Sequence, residues 1–157
     1  MNITEFEQRV LDQKPVASEH YDAEYFTGEW RDAGNNYNLE TRRQIEAKNP
    51  SLIKDVFQPQ RVLDLGCGPG ALMHLLQEIG VEADGIDYNE MSLRLATPEV
   101  KDRIAIGDAS DTSIKEDGAY DLVICREVLE HLTVLDSSSR LLQQFADQDT
   151  RRQQSQQ

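Results

Sequence analysis

Alternating glycines follow an apolar segment near the middle of the chain, in the run Asp64-Leu65-Gly66-Cys67-Gly68-Pro69-Gly70. The segment Val62 to Leu65 has the pattern of a buried strand, and leucine and isoleucine recur at helical spacing behind the glycines. A strand, a glycine-rich turn and a helix in this order form the unit that holds a nucleotide-like ligand on an α/β sheet. Because glycine has no side chain, the backbone of such a turn can approach a ligand closely.

An acidic residue stands where that unit needs one. Asp87 follows Gly66 by 21 residues and comes directly after the next apolar segment, Val81 to Ile86. A carboxylate at this position can accept hydrogen bonds from both hydroxyls of a ribose. The alternative interpretation of Asp87 is a residue of a surface turn.

The elements that must position these residues alternate between strands and helices. Such alternation predicts an α/β fold with a Rossmann-like parallel sheet, right-handed crossovers and helices on both faces of the sheet. The strands are predicted at 61–65, 82–87, 103–107 and 120–124, and the helices at 4–13, 39–49, 51–57, 69–79, after Asn89 and at about 126–132.

Composition limits the class of protein. A chain of 157 residues suits one domain with a sizeable core. The formal net charge of -13 disfavours nucleic acid and anionic membranes as partners, because like charges repel. Two cysteines, Cys67 and Cys125, provide no disulfide framework, and neither a signal peptide nor a membrane-spanning run is expected. We therefore expect a cytoplasmic protein.

Three regions are expected along the chain. Half of the aromatic residues fall between positions 21 and 37, which predicts a cover segment over residues 1–37 that packs onto the domain or shields one edge of its sheet. Residues 38–135 form the predicted ligand-binding α/β domain. Residues 136–157 are predicted to be a weak helix and a disordered glutamine-rich tail, since they cannot bury a core.

Four motifs together resemble those of the class I S-adenosylmethionine-dependent methyltransferases. The run 64–70 is similar to the glycine motif of that family, and Gly85-Ile86-Asp87 is similar to its ribose-binding motif. Gly107-Asp108-Ala109 resembles the segment beside the adenine, and the run 120–132 resembles the fourth strand with its following helix. The resemblance covers roughly residues 61–132 and implies S-adenosylmethionine as cofactor.

The resemblance also implies a set of cofactor-binding residues. Asp64 would stand near the cationic amino group and the sulfonium, although a hydrogen-bonded turn residue is the alternative interpretation. Asp108 could instead cap a turn in a polar loop. The expected cofactor contacts are Asp64, Gly66, Cys67, Gly68, Gly70, Asp87, Tyr88, Asp108, Ala109 and Arg126.

A dinucleotide-binding domain is the rival interpretation. Gly66, Gly68 and Ala71 also satisfy its glycine pattern, and Asp87 fits its acidic position. However, Asp64 would place a negative charge near a pyrophosphate, and no second mononucleotide-binding half follows the fourth strand.

The run from Glu127 to His131 could carry further chemistry. Glu127-x-x-Glu130-His131 is similar to a divalent-metal site of some methyltransferases, but the same letters occur in members of the family without metal, and we assign no metal ligand. Methyl transfer by direct displacement needs a base only if the acceptor must lose a proton. His131 is the first candidate for that base and Glu130 the second.

The predicted sheet is shorter than the seven strands of a full class I fold, which indicates a C-terminally truncated chain. Strand 120–124 would then be an open edge, prone to self-association or completed by a partner chain. Three functions follow: a methyltransferase acting on a small-molecule acceptor, a cofactor-binding remnant without turnover, and a partner-completed interaction subunit.

Overall fold

The structure is a computed structural model and describes residues 3–14, 16–28, 36–109, 111 and 119–133. The chain divides into two compact units. One comprises residues 1–16 and 127–157, and the other comprises residues 17–126 and contains the whole described sheet.

Four parallel strands form the described sheet, in the order β3-β2-β1-β4. They are β1 (Arg61–Leu65), β2 (Glu82–Asp87), β3 (Ile104–Ile106) and β4 (Leu122–Cys125). The chain adds β2 and β3 on one side of β1 and then returns to place β4 on its other side. The direction of winding therefore reverses between β1 and β4, and ligands bind at such a switch point in open α/β sheets. This arrangement confirms the predicted Rossmann-like parallel sheet.

Seven α-helices lie in the described residues. The amphipathic helix α5 packs on β2 and contacts α3, α4 and α7. Its buried residues Met73 and Leu76 join Val62 and Val81 in the main core cluster. The helices are α1 (Ile3–Leu11), α2 (Ala23–Thr27), α3 (Leu39–Ile45), α4 (Asn49–Phe57), α5 (Ala71–Glu78), α6 (Met91–Leu95) and α7 (Pro98–Lys101).

Several predicted helix boundaries were wrong. Helix α5 begins at Ala71 rather than Pro69, because Gly70 adopts the left-handed conformation at φ 77° and ends the glycine turn first. The helix predicted at 39–49 ends at Ile45 as α3, and the helix predicted at 51–57 begins earlier, at Asn49, with Pro50 in the first turn of α4. Helices α2 and α7 were not predicted.

The helix predicted after β4 is shorter than expected. Only a 3-10 helix, Leu129–His131, follows within the described residues, and Glu127 precedes it at φ 54°. A positive φ at a residue other than glycine interrupts helical geometry, which explains why the periodicity of this segment does not give a longer helix. The predicted helix around residues 141–145 and the glutamine-rich tail lie outside the described residues.

Candidate functional site

The glycine-rich turn is fastened to the neighbouring strand by its own backbone. The amides of Gly66 and Cys67 both donate hydrogen bonds to the carbonyl oxygen of Ile86, at 2.8 and 3.1 Å. Gly66, Gly68 and Gly70 all have positive φ angles, between 53° and 77°. Residues with a Cβ rarely adopt this conformation, so the turn depends on its glycines.

Asp87 ends β2 directly beside this turn. Its Oδ2 atom accepts a hydrogen bond from the Gly68 amide at 2.8 Å, and its Oδ1 atom accepts one from the Asn89 amide at 3.1 Å. Burial raises the pKa of Asp87, and the hydrogen bonds from Asn89, Gly68 and Ser92 oppose that rise. The Asp87 carboxylate is thus a hydrogen-bond acceptor directly beside the glycine turn.

Asp64 is the penultimate residue of β1, which lies between β2 and β4, and it is paired with Gly85 on β2. Its side chain is buried, and no described residue forms an ion pair or a hydrogen bond with its carboxylate. Burial raises the pKa of Asp64 to about 7, with the positive charge of Arg126 opposing and the negative charges of Glu46 and Asp87 reinforcing the shift. The carboxyl group is therefore held in an environment that a cation would stabilise.

Arg126 follows β4 and pairs with a residue that is distant in sequence. Its two terminal nitrogens each donate to one carboxylate oxygen of Glu46, both at 3.0 Å. The Glu46 carboxylate also accepts a hydrogen bond from Asn49 Nδ2 at 2.6 Å. Burial works to raise the pKa of Glu46, but the hydrogen bonds from Arg126 and Asn49 outweigh it and hold that pKa below its ordinary value.

The remaining predicted contacts follow β2 and β3. Tyr88 is exposed directly after Asp87, whereas Ala109 is buried and Asp108 is exposed. The Gly107 amide donates to the backbone carbonyl of Asp87 at 2.8 Å, which ties this loop to the end of β2. Asp108 accepts the Asp111 amide at its backbone carbonyl, so it also begins the turn that its alternative interpretation expects.

Aromatic side chains from the N-terminal region contact the glycine turn. A Cβ atom placed on Gly68 would lie 3.5 Å from the Phe26 ring and 3.8 Å from the Tyr37 ring. The Tyr37 amide donates to the Phe26 carbonyl at 2.8 Å, and the hydroxyls of Tyr25 and Tyr37 are 3.2 Å apart. The aromatic residues therefore pack on the turn itself, a position that composition did not specify.

Sequence reasoning did not single out Glu46 or Phe26. Glu46 pairs with Arg126 across 80 positions, and no local pattern signals such a pair. Phe26 belongs to the aromatic-rich stretch 21–37. The high density of aromatic residues there predicted that the stretch packs on the domain, but it did not indicate which surface it covers.

The candidate bases, Glu130 and His131, belong to the unit that comprises residues 1–16 and 127–157. His131 is half-buried, and its backbone carbonyl accepts the Val16 amide at 3.3 Å. The Glu130 side chain lies outside the described residues. No group of three metal-binding side chains is found in the portion of the chain that is described.

Comparison with known proteins identifies the class. The family model described as a methyltransferase domain matches residues 37–148, which is most of the chain. The chain therefore belongs to this methyltransferase family, and the resemblance to class I S-adenosylmethionine-dependent methyltransferases is confirmed. The rival dinucleotide-binding interpretation finds no support in these matches.

Individual relatives agree with this class over part of their length. A ubiquinone biosynthesis O-methyltransferase from Bordetella avium is 36% identical over 81 residues, which are 48% of this chain and 34% of the relative. A second one, from Thiobacillus denitrificans, is 32% identical over 78 residues, 46% of this chain and 34% of the relative. The chain thus spans about a third of the length of these curated relatives.

A solved structure shows the same fold. The crystal structure of WbdD superposes on this chain with a TM-score of 0.52 and a sequence identity of 23%. The match covers 89% of this chain and 33% of the WbdD chain. None of the helices in the described ranges is long and apolar enough to cross a membrane.

Proposed function

We propose that this chain binds S-adenosylmethionine at the carboxyl edge of its sheet and transfers the methyl group to a small-molecule acceptor. The observation that carries the proposal is the hydrogen bond between Gly68 and Asp87, which joins the glycine turn to a carboxylate beside the buried Asp64. Family membership supports the cofactor, since the site and the matched domain coincide.

The residues present fit this cofactor. Asp87 places a carboxylate that can accept from the ribose hydroxyls beside the glycine turn, and the backbone of Gly66 gives the sugar and methionine portions a close approach. Asp64 offers a buried carboxylate to the cationic amino acid portion. The cofactor supplies a methyl group that its sulfonium activates for direct displacement, while the protein orients the two reactants and excludes water.

The acceptor is proposed to be attacked through oxygen. The relatives named as ubiquinone biosynthesis O-methyltransferases support a small molecule that carries a hydroxyl group. Such a hydroxyl becomes a better nucleophile as it loses its proton, and His131, or after it Glu130, is the proposed base. The remaining proposed cofactor contacts are Cys67, Gly70, Tyr88, Asp108, Ala109 and Arg126.

Calorimetry and turnover test the proposal in two stages. Titration with S-adenosylmethionine and with its demethylated product should show one site per chain. Release of S-adenosylhomocysteine in the presence of small hydroxylated acceptors should then show transfer, and His131→Ala should lower that rate while cofactor affinity is retained. Binding without turnover for any acceptor would leave a cofactor-binding remnant, and absence of binding would favour an interaction subunit.

We also propose that the free edge of β4 associates with a second copy or with a partner chain. In the described sheet β4 pairs only with β1, and exposed edges carry unpaired backbone groups. Light scattering over a concentration series should show association. A concentration-independent monomer that melts cooperatively above about 65 °C would contradict it.

Cys67 and Cys125 are both present as thiols, which suits the reducing cytoplasm that we propose as the setting of the protein.

A further inference from the structure

Arg126 pairs with one buried carboxylate and acts electrostatically on a second. It donates to both oxygens of Glu46 at 3.0 Å, and its positive charge opposes the rise in the pKa of Asp64. Asp64 on β1 is paired with Ile124 on β4, so Arg126 follows by two residues the position opposite Asp64. The arginine that Glu46 binds is therefore adjacent in the sheet register to the Asp64 carboxylate.

The surroundings of Glu46 stabilise its pair with Arg126. Its side chain is 6% exposed, while the Arg126 side chain is 45% exposed. Asn49, in the first turn of α4, donates to the Oε2 atom of Glu46 at 2.6 Å and fixes the orientation of that carboxylate. A bidentate pair of this kind is directional and stronger than a single neutral hydrogen bond. Glu46 thus fixes where the guanidinium points.

The charged groups that act on Asp64 come from three elements. Arg126 follows β4, Glu46 follows α3, and Asp87 ends β2. Together with Asp64 these groups comprise three carboxylates and one guanidinium, so they carry an excess of negative charge when all are ionised. A cation that enters beside Asp64 would restore the balance, provided that Arg126 does not take that place first.

We propose that Glu46 is a positioning residue that holds Arg126 off Asp64 and so keeps the Asp64 carboxylate open for the ammonium group of the cofactor. This inference rests on the proposed function, because it concerns the same cofactor site. A released Arg126 would pair with Asp64 directly. The ammonium group would then have to displace a charged hydrogen bond before it could bind.

The substitution Glu46→Gln tests the proposal because glutamine keeps the shape of the side chain and its acceptor for Asn49 but lacks the charge. S-adenosylmethionine should bind at least about tenfold more weakly, a loss typical of a charged hydrogen bond. 5′-Methylthioadenosine, which lacks the amino acid portion, should bind as it does to the wild-type protein. That second probe shows that the folded site is intact.

The double variant Glu46→Gln/Asp64→Asn separates an effect through Asp64 from a merely structural one. If Glu46 acts on the cofactor through the Asp64 carboxylate, the double variant should bind S-adenosylmethionine no more weakly than Asp64→Asn alone. A merely structural role for the Glu46–Arg126 pair predicts instead that the two losses of binding free energy add.

The pH profile gives an independent readout. Wild-type affinity for S-adenosylmethionine should rise between about pH 5.5 and 7 as Asp64 ionises, whereas a directly paired Asp64 in Glu46→Gln should flatten that rise. Unchanged affinity in Glu46→Gln, or additive losses in the double variant, would overturn the inference while the proposed function stands. Failure of the wild-type protein to bind S-adenosylmethionine at all would overturn both.

Discussion

The Gly68 amide donates a hydrogen bond to the Asp87 carboxylate, with 2.8 Å between nitrogen and oxygen. This contact joins the glycine turn after β1 to the end of β2, so two motifs 19 residues apart act as one surface. The turn and the carboxylate are consequently placed before any ligand arrives, which lowers the entropy cost of binding.

Replacing Asp87 with alanine should weaken S-adenosylmethionine binding by roughly ten- to a hundredfold or more, because charged hydrogen bonds to the ribose hydroxyls are lost. Calorimetry measures the change. The matched control is Asp84→Asn on the same strand, which removes the 2.8 Å ion pair with Arg61. That variant should lose stability but keep its affinity, and a change under threefold for Asp87→Ala would identify a turn residue instead.

Gly68→Val should abolish cofactor binding. Valine is strained at φ 53°, and its side chain would press into the rings of Phe26 and Tyr37 as well as narrow the approach to the turn. Gly80→Val is the control, since Gly80 has a similar φ of 79° but a Cβ atom placed on it would meet nothing within 4 Å. It should lose about 1–2 kcal/mol of stability and bind normally. Equal affinities in the two variants would argue against the assigned turn.

Gly85→Ala should displace the glycine turn, because the added Cβ would clash with Cys67 in that turn. The Cβ would lie 2.5 Å from Cys67 Sγ, 2.6 Å from Met73 Sδ and 2.8 Å from Cys67 Cβ, which is closer than atoms can approach. Cys67→Ala removes the clash with Sγ but keeps the one with Cβ, and the flexible Met73 side chain can move away. Thermal melts should therefore show partial recovery in the double variant. If the losses of stability simply add, the clash with Cys67 is not the cause.

Asp64→Asn should stabilise the unliganded chain at pH 8 and weaken cofactor binding. The pKa of Asp64 is raised from 3.8 to about 7, so the folded state binds a proton that the unfolded state has released. Stability consequently falls as the pH rises from about 4 to 7 and stays level above that range. The melting temperatures of the two proteins should diverge across this window. Parallel pH dependences would contradict the assignment.

Local patterns in the sequence were sufficient for the frame of the site. The periodicity of apolar residues and the spacing of the glycines predicted β1, the glycine turn and Asp87. These features could be predicted because the turn and its two flanking strands lie within about 25 residues, and each depends on residues close to it in sequence. Helix boundaries were less predictable. Gly70 and Glu127 adopt positive φ angles that end regular structure, and apolar periodicity does not report such angles.

Tertiary structure alone decided which distant residues complete the site. Glu46 meets Arg126 across 80 positions, and Phe26 reaches the turn at Gly68 from a segment that composition marks only as aromatic. A residue pattern records which face of an element is apolar, but not which element that face meets. The raised pKa of Asp64 could not be predicted for the same reason. Its burial and the charges of Glu46 and Arg126 that act on it arise only in the folded chain, where β4 pairs with β1.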